Sequence, residues 1–291
     1  MCRGLPGRSG LDGGPGLPGA GAAWCCMSNA VSRLLVAAAA IPVVLGAVYF
    51  GGWWLFALVA AAGFLALHEF WLLAKPLAPL APAGYVGGIL ALVGAQCGGI
   101  EWMVGGLLTA LALAFLLKGI SATRQAPTAS ISATVLGAFW VGCGLSFVLL
   151  LRALPVHGRL ASFTVVLAVW AGDTLAYVGG RLLGRHRMAP HTSPGKTWEG
   201  FVFGTAATVF VTFVALYKQH FLSISESIAL GAVLAVAAPM GDLFESMLKR
   251  DAGVKDAGAL LGGHGGMLDR LDALLFAVPA AYFTIAAFGY R

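Results

Sequence analysis

The strongest constraint on this chain is a succession of apolar stretches, broken only by short polar connections, that runs from residue 34 almost to the end. A helix crossing the hydrocarbon core of a bilayer needs about 20 predominantly apolar residues. Its backbone polar groups must also be satisfied within the segment. The stretches 34–50, 53–74, 82–98, 101–118, 131–151, 161–180, 199–217, 226–247 and 270–288 meet this description. The sequence therefore reads as an all-α polytopic membrane protein with about nine transmembrane helices, the third and fourth being short. Composition agrees: 59% of residues are hydrophobic and only 10% charged, against roughly 25% charged in a soluble domain. Mean hydropathy is +0.87, and no stretch is left over for a soluble domain of any size.

Residues 1–27 stand apart. Glycine recurs at 4, 7, 10, 13, 16 and 19 among several prolines. So short a G-x-y run does not hold a triple helix, and it reads as a disordered tail or as residues upstream of a start at Met27. The rest divides into scaffold helices over 28–152 and a catalytic membrane region over 153–291. The run at 34–50 has features of a signal peptide, but its continuation into a second span across Gly51-Gly52 argues for a retained anchor. Cys2, Cys25, Cys26, Cys97 and Cys143 form no C-x-x-C pair and no disulfide framework. Cys25-Cys26 reads as a linker pair open to acylation.

Orientation follows from the basic residues. With a cytoplasmic N-terminus, Arg33, Lys75, Lys118, Arg124, Arg181, Arg185, Arg187, Lys196, Lys249, Arg250, Lys255 and Arg270 fall on the inner side. Only Arg152, Arg159, Lys218 and Arg291 fall outside. The acids sort the same way, with only Glu101 and Glu226 on the outer side beyond the tail. The chemistry belongs at the cytoplasmic ends of the C-terminal helices.

Ionisable groups inside a membrane segment are costly and by default suggest function. Asp173 follows the apolar run Phe163–Gly172, and Asp242 sits near the inner end of the eighth span. Asp242, Glu245 or Ser246, and Lys249 share one helical face. A purely structural alternative is an intramembrane ion pair, Asp242 with Lys249 for example. Downstream, Lys249, Arg250 and Lys255 supply cationic donors, and Gly262-Gly263-His264-Gly265-Gly266 a backbone able to approach a ligand closely. Asp269 and Asp272, at i and i+3, turn two carboxylates to one side. Hard divalent cations such as Mg²⁺ take a few carboxylates and complete their shell with water and substrate phosphates. Such a metal neutralises phosphate charge, and Lys and Arg stabilise the transition state of phosphoryl or nucleotidyl transfer. No Ser-His-Asp or Cys-His set for covalent catalysis is evident.

The connection before the seventh span reads Ser193-Pro194-Gly195-Lys196-Thr197-Trp198-Glu199-Gly200. A Walker A motif is rejected, because position 190 is Pro where that motif needs Gly and no strand precedes it. Ser193 or Thr197 can instead cap the seventh helix, whose N-terminal amides attract phosphate, with Lys196 adding charge. His264 reads as a hydrogen-bond donor to phosphate, although a base or metal-ligand role is open to it. His186 and His191 could equally face anionic lipid. Glu69, after His68 at the inner end of the second span, reads as a helix-end acid near the site.

At these residues the sequence resembles the phosphatidate cytidylyltransferase (CDP-diacylglycerol synthase) family. The family's C-terminal signature is met by Ser246, Lys249, Arg250, Lys255, Asp256, His264, Gly265, Gly266, Asp269, Arg270 and Asp272. Its upstream elements are met by Asp173-Thr174-x-Ala176-Tyr177, Gly180-Arg181 and the Ser193–Gly200 connection. Gly195 stands where Lys is common and Gly262 where Pro is common. The resemblance implies the reaction CTP + phosphatidate → CDP-diacylglycerol + pyrophosphate, with Mg²⁺ and a possible second cation. It implies that Asp242, Asp269 and Asp272 hold the metal centre, with Asp256 as a further ligand. Lys249, Arg250, Lys255, Arg270 and His264 would act on the reacting phosphates. Asp173, Ser193, Lys196, Thr197, Glu199 and Ser246 would bind substrate. Membrane lipid and a second copy of the chain in a homodimer are implied as partners, and nucleic acid is not. The resemblance also implies a bacterial inner (cell) membrane.

Two other classes of protein place charges in membrane helices. A transporter of a phosphorylated or anionic substrate would be expected to show paired broken helices in two related halves, whereas the polar groups here crowd into the C-terminal half. A CDP-alcohol phosphotransferase also uses clustered aspartates, but its D-G-x-x-A-R motif is absent.

Overall fold

A computed structural model of the chain describes residues 40–120, 126–254, 257–258 and 265–290. The chain divides into Met1–Ala40 and Ile41–Arg291, and the second unit holds the helices described below. The sequence readings for Lys255, Asp256, Gly262, Gly263, His264 and the N-terminal tail lie outside the described residues.

The described chain is helical throughout, apart from one small hairpin. After α1 (Ala40–Phe50) come α2 (Gly52–Leu73), α3 (Ala81–Ile120), α4 (Pro127–Gly137), a π-helical turn (Ala138–Cys143) and α5 (Gly144–Arg152). The remaining elements are α6 (Gly158–Leu183), β1 (Arg187–Ala189), β2 (Ser193–Thr197), α7 (Trp198–Leu216), α8 (Ile224–Asp251) and α9 (Leu268–Ala287). The run from α4 through the π turn to α5 forms one span. Among the described residues, 7 helices are long and apolar enough to cross a membrane. The sequence reading of about nine differs at two places. Ala40–Phe50 is too short to count as a span, and α3 is assigned as one helix where the sequence suggests two.

Helix α3 is not straight. Gly99 (φ 79°, ψ −159°) breaks it in a conformation that an L side chain rarely adopts. Its halves fold back on each other at residues without side chains. A Cβ on Gly87 would collide with Ala110, one on Gly94 with the Trp102 backbone, and one on Gly106 with the backbone of Leu90 and Ala91. Small residues permit such close approach of helices where lipid offers no hydrophobic drive for association. Gly106→Val should therefore force the two halves apart, at about 1–3 kcal/mol for an overpacked contact. The expected readout is a lower thermal midpoint in detergent, followed by size-exclusion. An unchanged midpoint would contradict this packing.

The α4–α5 span is the most enclosed, with 78% of its window buried. Its Trp140 ring meets Phe70 of α2 and Phe244 of α8 at 6.1 and 4.8 Å. Gly144 lies against the Leu275 backbone of α9. The scaffold helices thus form a wall against which the C-terminal helices pack.

The C-terminal helices are held by the same small-residue logic. Gly172, Ala176 and Gly180 of α6 face Thr208, Gly204 and Gly200 of α7 in antiparallel steps of four. Gly241 of α8 sits directly on the Asp272 carbonyl of α9.

One end of the bundle carries little polar chemistry. There Arg152 donates to the carbonyls of Val48 and Tyr49 (2.8 and 3.1 Å), and Arg159 lies over the Tyr49 ring. His157 stacks on Phe221. The acids and bases of interest gather at the opposite end.

Candidate active site

The connection after α6 forms a short antiparallel hairpin with Arg187 opposite Thr197 and Ala189 opposite Ser193. Two features attach it to α7. Thr197 is the N-cap, its hydroxyl accepting from the Gly200 amide at 3.1 Å, as the sequence suggests. Glu199 in the first turn accepts from the amides of Arg185 and His186, and from His186 Nδ1 at 2.6 Å. The family resemblance makes both residues substrate contacts; here both are engaged in holding the hairpin. The hairpin in turn presents Lys196.

Lys196 Nζ donates to Asp242 of α8 at 2.9 Å and reaches the Pro239 carbonyl at 3.4 Å. Pro239 has no amide hydrogen, so the Ala235 carbonyl lacks its usual helical donor. Ala235, Pro239, Asp242 and Lys196 line a cavity of about 330 Å³ between α6, α7 and α8, in the size range of small-ligand sites. Asp173, Tyr177 and Arg181 of α6 line the same cavity, with Arg181 donating to the Tyr177 hydroxyl at 2.9 Å. The glycines that let α6 and α7 approach, Gly172, Gly180, Gly200 and Gly204, also form its wall. Packing and site share the same residues.

A second cluster lies where α8 meets α9. Lys249 donates to Glu245 at 3.1 Å and to Asp269 at 2.5 Å. The alternative pair of Asp242 with Lys249 does not form, because the hairpin brings Lys196 to Asp242 and α9 brings Asp269 to Lys249. Asp269 also accepts from the amides of Gly266 (2.7 Å) and Ala257 (3.2 Å). Glu245 is fully buried, and its Oε1 has no hydrogen-bond partner. Asp272 of α9 stands next to this group: its backbone lies against Gly241, the residue before Asp242, and its Oδ1 accepts from the Ala273 amide at 2.8 Å. Ser246 is half-buried on α8, Arg250 reaches the Thr192 carbonyl at 3.3 Å, and Arg270 is exposed on α9. Ser193 sits half-buried on β2.

The two clusters join at Asp242, which lines the cavity and neighbours Asp272. Among the described residues no group of three or more His, Cys, Asp or Glu forms a ready metal cage. Mg²⁺ does not need one, since it is usually bound through one or two carboxylates, waters and substrate phosphates. The carboxylate oxygens of Asp242 and Asp272 and the orphaned Glu245 oxygen are the donor type that a hard cation takes. Asp269 fits less directly, because both of its oxygens already accept from protein donors. Glu245 stands out in the sequence only as a helical neighbour of Asp242. Its burial, which the sequence does not reveal, is what gives it weight.

A profile of the Cytidylyltransferase family matches residues 31–288. A phosphatidate cytidylyltransferase of Synechocystis sp. is 31% identical over 282 residues, covering 87% of this chain and 95% of that protein. Phosphatidate cytidylyltransferases of Haemophilus influenzae and Staphylococcus haemolyticus are 39% and 41% identical over 130 and 141 residues. These two matches span 45% and 53% of the relatives' lengths. The helical bundle, with its charged groups gathered at one end, has the makeup of a multi-pass membrane protein. The chain is a member of the cytidylyltransferase family. The transporter alternative finds no support in these likenesses.

Proposed function

We propose that the chain transfers the cytidylyl group of CTP to phosphatidate, giving CDP-diacylglycerol and pyrophosphate. The observation that carries this reading is the junction at Asp242, where a cavity with an ammonium group meets a buried acidic cluster. A nucleotide triphosphate and a lipid phosphate are both anionic, and such a junction can hold them side by side.

In this reaction an oxygen of the phosphatidate phosphate bonds to the α-phosphorus of CTP. The bond from that phosphorus to the bridging oxygen of the β-phosphate breaks, and the electron pair leaves with pyrophosphate. Lys196 in the cavity and Lys249 beside it place positive charge where phosphate charge develops. Arg181 and Arg270 lie at the same end and can take up peripheral phosphate oxygens. Asp173 and Tyr177 shape the cavity wall. Asp242 and Asp272 would hold Mg²⁺, with Glu245 nearby on α8, and the ion when bound supplies Lewis-acid stabilisation of the phosphates. Asp269 orients Lys249 and retains capacity for one further contact.

We further propose nine membrane passes, counting the halves of α3 separately and taking α1 together with the apolar residues 34–39 before it as the first. Among the described residues, Lys75, Arg181, Arg185, Arg187, Lys196, Lys249, Arg250 and Arg270 are at the site end and Arg152, Arg159 and Lys218 at the other, which supports a cytoplasmic site facing the inner leaflet.

The reading is tested with purified protein in detergent and phosphatidate presented against other phospholipids. Liponucleotide should form only with phosphatidate-type lipids and only when a divalent cation is present, and chelation should abolish it. Full turnover in excess chelator would remove the metal assignment, and no liponucleotide from any lipid would remove the reading.

A further inference from the structure

Glu69 lies on α2 in the scaffold half and takes no part in the chemistry above, yet it is completely buried. Its Oε2 accepts the amide hydrogen of Leu268 at 2.8 Å, across 199 residues of sequence. Leu268 is the first residue of α9, and Met267 before it supplies no side-chain cap. A carboxylate from another helix thus caps α9, opposite the positive end of that helix's dipole. Its Oε1 has no hydrogen-bond partner. Two glycines crowd the same carboxylate: a Cβ on Gly258 would lie 2.6 Å from Oε1, and one on Gly266 would collide with Oε2. Asp269 grips the same backbone from the other side, through the amides of Ala257 and Gly266. The two edges of this connection are therefore clasped between one carboxylate of the scaffold and one of the site.

We infer that Glu69 is a positioning residue for the transfer reaction. By capping α9 and packing against Gly258 and Gly266, it fixes where α9 starts, and hence where Asp269 and Asp272 stand beside the α8 residues Lys249 and Glu245. The inference rests on the proposed transfer for its kinetic consequence, but its structural consequence does not.

The test uses the full chain with Glu69→Gln, Glu69→Ala, Gly266→Ala and the double variant Glu69→Ala/Gly266→Ala. Hydrogen–deuterium exchange of the segment containing Leu268 needs no substrate. Loss of this buried hydrogen bond should speed exchange there at least tenfold in Glu69→Ala. In folded variants kcat should fall about a hundredfold in Glu69→Ala and less in Glu69→Gln, which keeps one acceptor, while KM for CTP moves less than threefold. Gly266→Ala should also lose activity, and the double variant should be far from additive, because removing the carboxylate relieves the collision. Unchanged exchange at Leu268 would overturn the inference, as would additive losses or a kcat that falls only in step with the folded fraction. Wild-type protein inactive on CTP and phosphatidate, but with exchange altered as described, would count against the proposed reaction and leave the clasp standing.

Discussion

Asp269→Asn should lower kcat by about a thousandfold or more, the scale on which loss of a transition-state charge contact acts. The wild-type carboxylate accepts from three donors: Lys249 Nζ, the Gly266 amide and the Ala257 amide. A carboxylate offers only acceptor sites, whereas a carboxamide must turn an NH₂ group towards one of these donors. Lys249 would then keep only Glu245 as its acidic partner, and the connection before α9 would lose part of its anchorage. Both effects fall on the reacting region. Because Lys249 and Asp269 are largely enclosed, at 12% and 16% side-chain exposure, stability should fall as well, by about 3–5 kcal/mol if the pair is broken outright. Steady-state kinetics and thermal unfolding of one preparation check the two parts together. Turnover within tenfold of wild type would show that Asp269 only supports structure.

Lys196→Met should show the opposite balance, with activity lost and stability kept. The Lys196–Asp242 pair is more exposed, at 25% and 27%, and such pairs contribute only about 0–1 kcal/mol. The ammonium group nevertheless sits in the cavity between α6, α7 and α8, where the proposed reaction would set a phosphate against it. Losing it should reduce kcat/KM for CTP by about a hundred- to a thousandfold, as removal of one preorganised charge does elsewhere, with a thermal midpoint within a degree or two of wild type. Lys196→Arg should restore part of the activity, since charge is kept while the point-charge geometry is not. Equal kcat/KM in Lys196→Met would place the triphosphate elsewhere.

Much of this arrangement can be read from the chain. The ends of α6 to α9 fall within four residues of the apolar stretches that suggest them, because lipid exposure leaves a hydropathy signal that soluble helices lack. Lys196, Asp242, Lys249, Asp269 and Asp272 stand out because charges are rare in such segments. Thr197 is legible as a cap from its place before an apolar run.

What the sequence hides are pairings between distant helices. Nothing local joins Glu69 to Leu268 or tells Lys249 to choose Asp269 over Asp242. Those choices depend on where Gly241 lets α8 touch the backbone of α9 and on how the hairpin folds over α7. The π-helical turn at Ala138–Cys143 is likewise silent in hydropathy, since its residues are as apolar as the helix around it. Gly99 breaks α3 in a stretch that reads as two spans with only two residues between them.

The most direct measurement traces the label in CTP. With a radiolabel on the α-phosphorus, lipid-soluble label should appear one for one with pyrophosphate when phosphatidate and Mg²⁺ are supplied. A label on the γ-phosphorus should leave entirely with pyrophosphate. Label from the γ position entering the lipid, or no bond of CTP broken while a phosphorylated solute crosses a vesicle membrane, would contradict cytidylyl transfer.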